Sequence, residues 1–442
     1  MTTADNGEAD GQTCDVAVIG GGPGGSTVAT LLARQGYRVE LFEKARHPRF
    51  HIGESLLPAN LPLFEELGVG AEIRAIGMEK WGAEFVSPWH AEGRQAFVFA
   101  DAWNKALPHA YQVQRAPFDD ILFRNAIKNG VQAHEGCRVT DVEFLPGRKG
   151  VVVHSRRDDG AAGKHRARFL IDASGRDTFL ANRMHSKRRN PRHNSAAMFA
   201  QFRNARRHPG RDEGNISIFW FDDGWFWFIP LPEGITSVGA VVWPYYMKRR
   251  DKPVAEYFQE TINKCPALAE RLRDAERVTD VEATGNFSYL STRSHGPNYL
   301  LLGDAFAFID PVFSSGVMLA MQSAFAAAAA VEAILSKRQS ERAALRAYDR
   351  NLRHGPRQFA WFIYRINQPS MRDLFMRPSN RFRAKEALLS VLAGDIFGET
   401  PIWKSLRAFK TVYYIHVWRH ALRSLRAWVG RRRNIRVATE EA

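Results

Sequence analysis

Gly20, Gly22 and Gly25 fall in a GxGxxG spacing within the run VIGGGPGGS, and an acidic residue, Glu43, closes the next apolar run. Glycines so spaced let a backbone turn tightly and approach a pyrophosphate at a helix N-terminus, where unpaired amides and the helix dipole favour anions. A carboxylate about 20 residues further on is placed to accept ribose hydroxyls. The pattern predicts a bound dinucleotide and leaves NAD and FAD both open. A second stretch, DPVFSSGV from Asp310 to Val317, enters a predicted helix. The backbone amides of Ser315 and Gly316, leading into Val317, can form a small anion-binding nest.

These residues need elements to hold them. Asp15 to Ile19 reads as a short buried strand, followed by the glycine turn, an apolar helix through Leu32 and a strand from Arg38 to Phe42. This β-α-β unit starts a doubly wound parallel sheet. From Leu61 to about Trp103 the chain is rich in Trp and Phe and breaks that rhythm, which marks a first excursion into a second unit. Phe118 to Asn129 has helical spacing, and Arg138 to Phe144, Gly150 to Ser155 and Phe169 to the Gly175 turn read as strands. Alternating aromatic-rich runs from Ala196 to about Phe287 fit an antiparallel sheet. Tyr299 to Asp304 is the last core strand. The apolar stretch Val317 to Leu335 carries Gln322, Ser323 and Glu332, so it reads as an alanine-rich helix packed on a sheet rather than a membrane span.

The 442 residues are 45% apolar and 12% aromatic, enough for a core divided among two or three structural units. Cys14, Cys137 and Cys265 are far apart and make no CxxC pair, which argues against a disulfide framework or a zinc site, so no metal is expected. The acidic, polar N-terminal stretch lacks the features of a signal peptide, which places the protein in the cytoplasm. A formal net charge of +15 favours anionic partners. Candidates are an acidic carrier protein, an anionic membrane surface and nucleic acid. The last has no reading motif here, so no nucleic-acid partner is expected.

Two further segments resemble the second and third flavin signatures of the FAD-dependent aromatic hydroxylases: IDASGRD, Ile171 to Asp177, and YLLLGDAFAFIDP, Tyr299 to Pro311. The resemblance implies FAD, with Gly303 and Asp304 on its ribityl chain and Arg115, in YQVQRAPFDDIL, near the flavin. It implies an α/β fold with a Rossmann-like, p-hydroxybenzoate-hydroxylase-like FAD-binding domain from 13–60, 105–190 and 288–340. An antiparallel-sheet substrate domain would comprise 61–104 and 191–287, and a helical, basic C-terminal region 341–442. No second GxGxxG marks a nicotinamide domain, so reduced FAD is expected from a separate flavin reductase.

Four segments resemble the flavin-dependent halogenases, in the branch acting on phenols and pyrroles: RFHIGESLLP, GMEKWGAEF, WFWFIP and DPVFSSGV. The resemblance implies that Lys80 is the catalytic lysine. Its ammonium would polarise hypohalous acid, or its amine would trap the halogen as a haloamine; both routes stay open. It also implies that Trp225 and Trp227 form a barrier between flavin and substrate, that Ser315 and Gly316 bind chloride or bromide, and that Val317 borders the cofactor. Gly53 to Pro58 would be a strap linking the flavin and substrate regions. Tryptophan halogenases carry a glutamate where this chain has Phe313, which favours a phenol or pyrrole, free or tethered to an acyl-carrier protein, over free indole. An FAD-dependent aromatic monooxygenase is the alternative enzyme, and a non-catalytic flavoprotein scaffold the alternative class.

From Trp403 to Arg436 there is no acidic residue, while Ile415, Trp418, Leu422, Leu425 and Val429 recur at helical spacing among many arginines. A basic amphipathic helix follows. Its apolar side either caps the substrate domain or docks on an acidic carrier protein or an anionic membrane surface.

Overall fold

The computed structural model describes residues 13–285 and 288–436. The acidic N-terminal stretch and residues 286–287, at the end of the aromatic-rich region, lie outside the described residues.

The first strand, Thr13–Ile19, is an apolar run that pairs in parallel with Val39–Glu43 on one side and Ala162–Asp172 on the other. The strand Gln132–Glu135 extends the sheet beyond Val39–Glu43, and Tyr299–Leu301 extends it beyond Ala162–Asp172, both in parallel. Two antiparallel strands, Cys137–Phe144 and Val151–Arg157, join through Ala162–Asp172. Continuous apolar strands buried on both faces are what a parallel sheet covered by helices requires. The helices Pro23–Arg34 and Gly316–Leu335 supply that cover, sharing a core with Val16, Val18, Leu41 and Ile171. The apolar stretch after Val317 is therefore a packed helix, beginning one residue earlier at Gly316.

The second sheet runs Glu276–Arg277, Ala196–Arg203, Ile235–Val242, Gly224–Pro230, Ile216–Phe221, Gly82–Val86, Arg94–Val98. The strands from Ala196 to Val242 pair antiparallel, as expected, and Ile216–Phe221 lies parallel to Gly82–Val86, which comes from the earlier pass of the chain. A hairpin can join only antiparallel neighbours, and these two strands belong to separate passes of the chain. Residues 61–76 form two short helices, Leu61–Leu67 and Gly70–Ile76. They pack with Phe118, Leu122 and Met321 on the nucleotide side rather than with the second sheet.

Alternation divides the strand Gly224–Pro230 between two cores. Phe226 and Phe228 face helix Val254–Asn263, whereas Trp225, Trp227 and Ile229 face the C-terminal helices. On that side lie Phe359, Phe362 and Leu388, with Leu406, Phe409 and Tyr413 of helix Trp403–Arg419. The single basic helix expected at the C-terminus breaks at His420, and a second one runs Ala421–Arg436.

Candidate functional site

One continuous cavity of about 830 Å³ extends from the glycine turn of the parallel sheet to the two indoles of the second sheet. Its first end is built by close backbone approach. A Cβ on Gly25 would lie 1.8 Å from the Gly20 carbonyl oxygen, so helix Pro23–Arg34 can start against the strand only with glycine there. Gly20 takes φ +101° beneath the Ala173 carbonyl. Gly22 differs: a Cβ there would point into open space, its nearest neighbour an Arg49 nitrogen at 3.7 Å. The protein leaves that space clear, and the helix N-terminus opens onto it.

Glu43 stands beside this turn. Its buried carboxylate accepts from the Gly21 amide at 2.7 Å and the Ala45 amide at 2.9 Å. Arg49 lies 3.6 Å from it and pairs at 3.3 Å with Asp119. The same aspartate holds Arg115 in a bidentate pair, at 2.8 and 3.0 Å, while Arg115 also donates to the Ile52 carbonyl at 2.8 Å. Such a fork fixes a guanidinium's plane, so Arg115 presents a set orientation to the cavity. Gly303, at φ +52°, and Asp304 line the middle of the cavity. Burial pushes the Asp304 carboxyl up to about 6, and Arg176 and Arg115 pull in the opposite direction.

The far wall carries Trp225 and Trp227, 2% and 6% exposed, with ring centroids 6.2 Å apart. The Trp227 indole N–H donates to the Ser237 hydroxyl at 3.1 Å. A Cβ at Gly239, its cross-strand partner, would sit 2.2 Å from the Trp227 ring, so that glycine makes room for the indole. Ser315, Gly316 and Val317 line the same cavity. The turn before them, Pro311–Phe313, is capped by Asp310, whose carboxylate accepts from the Val312 amide, and Ser314 then takes φ +54°. Phe313 turns away into the core with Phe359 and Phe362.

Lys80 ends the strand Met78–Lys80, which pairs with Ala110–Gln112. It is 1% exposed, and its ammonium donates to the Ser55 hydroxyl at 2.9 Å and the Leu56 carbonyl at 3.0 Å. Burial alone lowers it to about 7. Lys80 is not itself in the cavity wall; Ser55 is, so this strap residue stands between the lysine and the cavity. Glu54, the neighbouring strap residue, accepts from the Gln201 amide at 2.8 Å, and burial pushes its carboxyl up to about 7.

The structure thus gathers Gly20, Gly22, Glu43, Arg115, Gly303, Asp304, Ser315, Gly316, Val317, Trp225 and Trp227 around one cavity. Gly25 packs beneath it and Lys80 lies behind the strap. Sequence reasoning gave no individual role to Arg49, Asp119 or His193, and took Glu54 and Asp310 only as members of the strap and of the DPVFSSGV segment.

Fold and cavity define a two-sheet dinucleotide-binding protein of the flavoenzyme class. The chain belongs to the tryptophan halogenase family, whose sequence profile matches residues 15–104 and 99–373. It is 35% identical over 347 residues to a tryptophan 2-halogenase of Chondromyces crocatus, covering 76% of this chain and 64% of that protein. To a 1H-pyrrole-2-carbonyl-(peptidyl-carrier protein) chlorinase of Pseudomonas fluorescens it is 30% identical, covering 87% of this chain and 89% of the other. The structure of the myxobacterial chondrochloren halogenase CndH, described as FAD-dependent, matches with a TM-score of 0.77 and 34% identity. That match covers 92% of this chain and 97% of CndH. The space kept open at Gly22 and the arginines around it fit the pyrophosphate of FAD, and Glu43 and Asp304 fit its hydroxyls.

Proposed function

We propose that this protein halogenates an electron-rich aromatic ring, a phenol or pyrrole, using reduced FAD, oxygen and chloride or bromide. The observation that carries the reading is Lys80: a lysine without a carboxylate partner among the described residues, buried one hydrogen bond behind the cavity wall and lowered to about 7. Structural lysines are usually solvated or ion-paired, so such burial points to chemistry. Bound reduced FAD, delivered by a separate reductase, supplies the oxidation of halide by oxygen to hypohalous acid and water.

The chain's residues do the rest. The amides of Ser315 and Gly316 hold the halide at a helix start. Trp225 and Trp227 wall the cavity and keep the ring to be halogenated away from the flavin. Burial lowers Lys80 to about 7, so the neutral amine is accessible near neutral pH. The amine attacks hypohalous acid, forming N–X and releasing water; the aromatic carbon then takes X from nitrogen, loses its proton and regenerates the amine.

The absence of a glutamate at Phe313 supports a phenol or pyrrole over free indole. A carrier-tethered substrate is supported by the carrier-protein chlorinase relative and by the basic, apolar face of the C-terminal helices. The test is the full chain with FAD, a reductase, bromide and a panel of free and carrier-bound phenols and pyrroles, read by mass spectrometry. Brominated product supports the reading. Hydroxylated product in its place would support a monooxygenase, and bound FAD without turnover a scaffold.

A further inference from the structure

Away from the flavin cavity, four neighbouring strands of the parallel sheet bring Cys14, Glu40, His134 and His165 together. Nε2 of His134 lies 3.1 Å and Nδ1 of His165 2.7 Å from the same Glu40 oxygen. The Cys14 thiol lies in the same region, and burial and the Glu40 charge push it up. Glu40 is 2% exposed and Cys14 4%, while the two imidazoles are 22% and 15% exposed and reach solvent at the sheet's edge.

An ion pair between a glutamate and two histidines would align each N–H on a carboxylate oxygen. Here only His134 does so, through Nε2 to Oε2. The second Glu40 oxygen, Oε1, and His165 Nδ1 are both buried and without a hydrogen-bond partner among the described residues, although Nδ1 is only 2.7 Å from Glu40. Buried polar atoms are rarely left so, and donor atoms that approach without pointing at one another instead face a shared point. The ligand atoms of Glu40, His134 and His165 lie within 4.8 Å of one another. Tetrahedral zinc, with bonds of about 2.0 Å to nitrogen and oxygen, needs donors only about 3.3 Å apart.

The surroundings hold the rings as metal ligands are held. Phe42 stacks on His134, centroids 4.8 Å apart at 15°, and meets His165 edge-on at the same distance. The other nitrogen of His165, Nε2, is 3.2 Å from the Ser155 hydroxyl, which holds the ring with Nδ1 facing the cluster.

We propose that Glu40, His134 and His165 form a binding site for a single Zn²⁺, with water as its fourth ligand, that ties together three strands of the nucleotide-binding sheet. The donor set of two imidazoles and a carboxylate suits zinc. Binding displaces to solvent any proton the imidazoles carry, so no oxidant or reductant is involved. The ligands come one from each strand and share no local spacing, so no sequence motif marks them.

The FAD-loaded full chain, stripped with EDTA, is titrated with Zn²⁺ against a chromophoric chelator and separately with Co²⁺. The expected result is one equivalent bound per chain and a rise in thermal midpoint. Co²⁺ should give the visible bands of a four-coordinate site, and Cys14→Ser should leave them unchanged. Glu40→Gln and His134→Gln, checked for retained FAD, should weaken binding at least tenfold. No stoichiometric zinc in the wild type would overturn the proposal and leave a protonated ion-pair cluster. Binding unchanged in both variants would place the metal elsewhere and overturn it equally.

Discussion

Nε2 of His193 lies 2.7 Å from a carboxylate oxygen of Asp310, 117 residues along the chain, and both side chains are buried. Asp310 also accepts from the Ser195 hydroxyl at 3.3 Å, and its other oxygen caps the turn that ends in Ser315 and Gly316. The loop that leads into the strand Ala196–Arg203 therefore fixes the aspartate that shapes the proposed halide turn.

Removing the hydrogen-bond partner of a buried polar group costs about 1 to 3 kcal/mol. His193→Ala is expected to lower thermal stability and raise the bromide concentration for half-maximal rate at least tenfold. FAD stoichiometry should be unchanged. His193→Gln, which keeps an N–H donor, should recover most of the halide affinity. A His193→Ala enzyme with an unaltered bromide dependence would separate this pair from the halide turn.

Gly22→Val should abolish FAD binding without unfolding the chain. The new side chain meets open space in the protein itself, its nearest neighbour 3.7 Å away, but occupies the approach to the pyrophosphate. Ultraviolet circular dichroism should match the wild type while the purified protein is colourless. A yellow variant at full stoichiometry would contradict the placement of the cofactor.

The C-terminal helices divide the basic tail into a core part and a free part. Leu406, Phe409 and Tyr413 are buried, so truncation after Pro401 would damage the core. Trp418 is 79% exposed and Leu422 76%, with Leu425 and Val429 also exposed, so this apolar side does not cap the substrate domain. Replacing Trp418, Leu422 and Leu425 together by Ser should leave stability within about 0.5 kcal/mol, as for ordinary surface changes. Affinity for an acidic carrier protein should drop, and the residual attraction should fade in 1 M salt, where the Debye length is about 3 Å. Equal carrier binding by wild type and variant would remove this face from the account. Binding to anionic vesicles instead would assign it to a membrane.

The sheet that holds the nucleotide was legible because its signals are local: an apolar strand, a glycine turn, a helix and an acid within 29 residues, from Asp15 to Glu43. Lys80 and the indoles could be placed only through family resemblance, since a lysine or an aromatic strand carries no chemistry in its spacing. The pairs His193 with Asp310 and Arg49 with Asp119 were invisible, because each joins residues from distant passes of the chain. The exposure of Trp418 and Leu422 was equally hidden: periodicity shows that a helix has an apolar side, but only packing shows whether anything covers it.

Whether Lys80 carries the halogen is decided by product formation measured against pH. Burial lowers Lys80 to about 7, so the neutral amine gains population as pH rises through that value. Wild-type halogenation should rise through a midpoint near 7 while flavin reoxidation stays flat. Lys80→Ala should reoxidise flavin normally but lose product by at least about a hundredfold, roughly 2.7 kcal/mol in barrier. Lys80→Arg should not rescue it, since a guanidinium stays charged. Halogenation by Lys80→Ala at more than about a tenth of the wild-type rate, a loss under roughly 1.4 kcal/mol, would contradict the account.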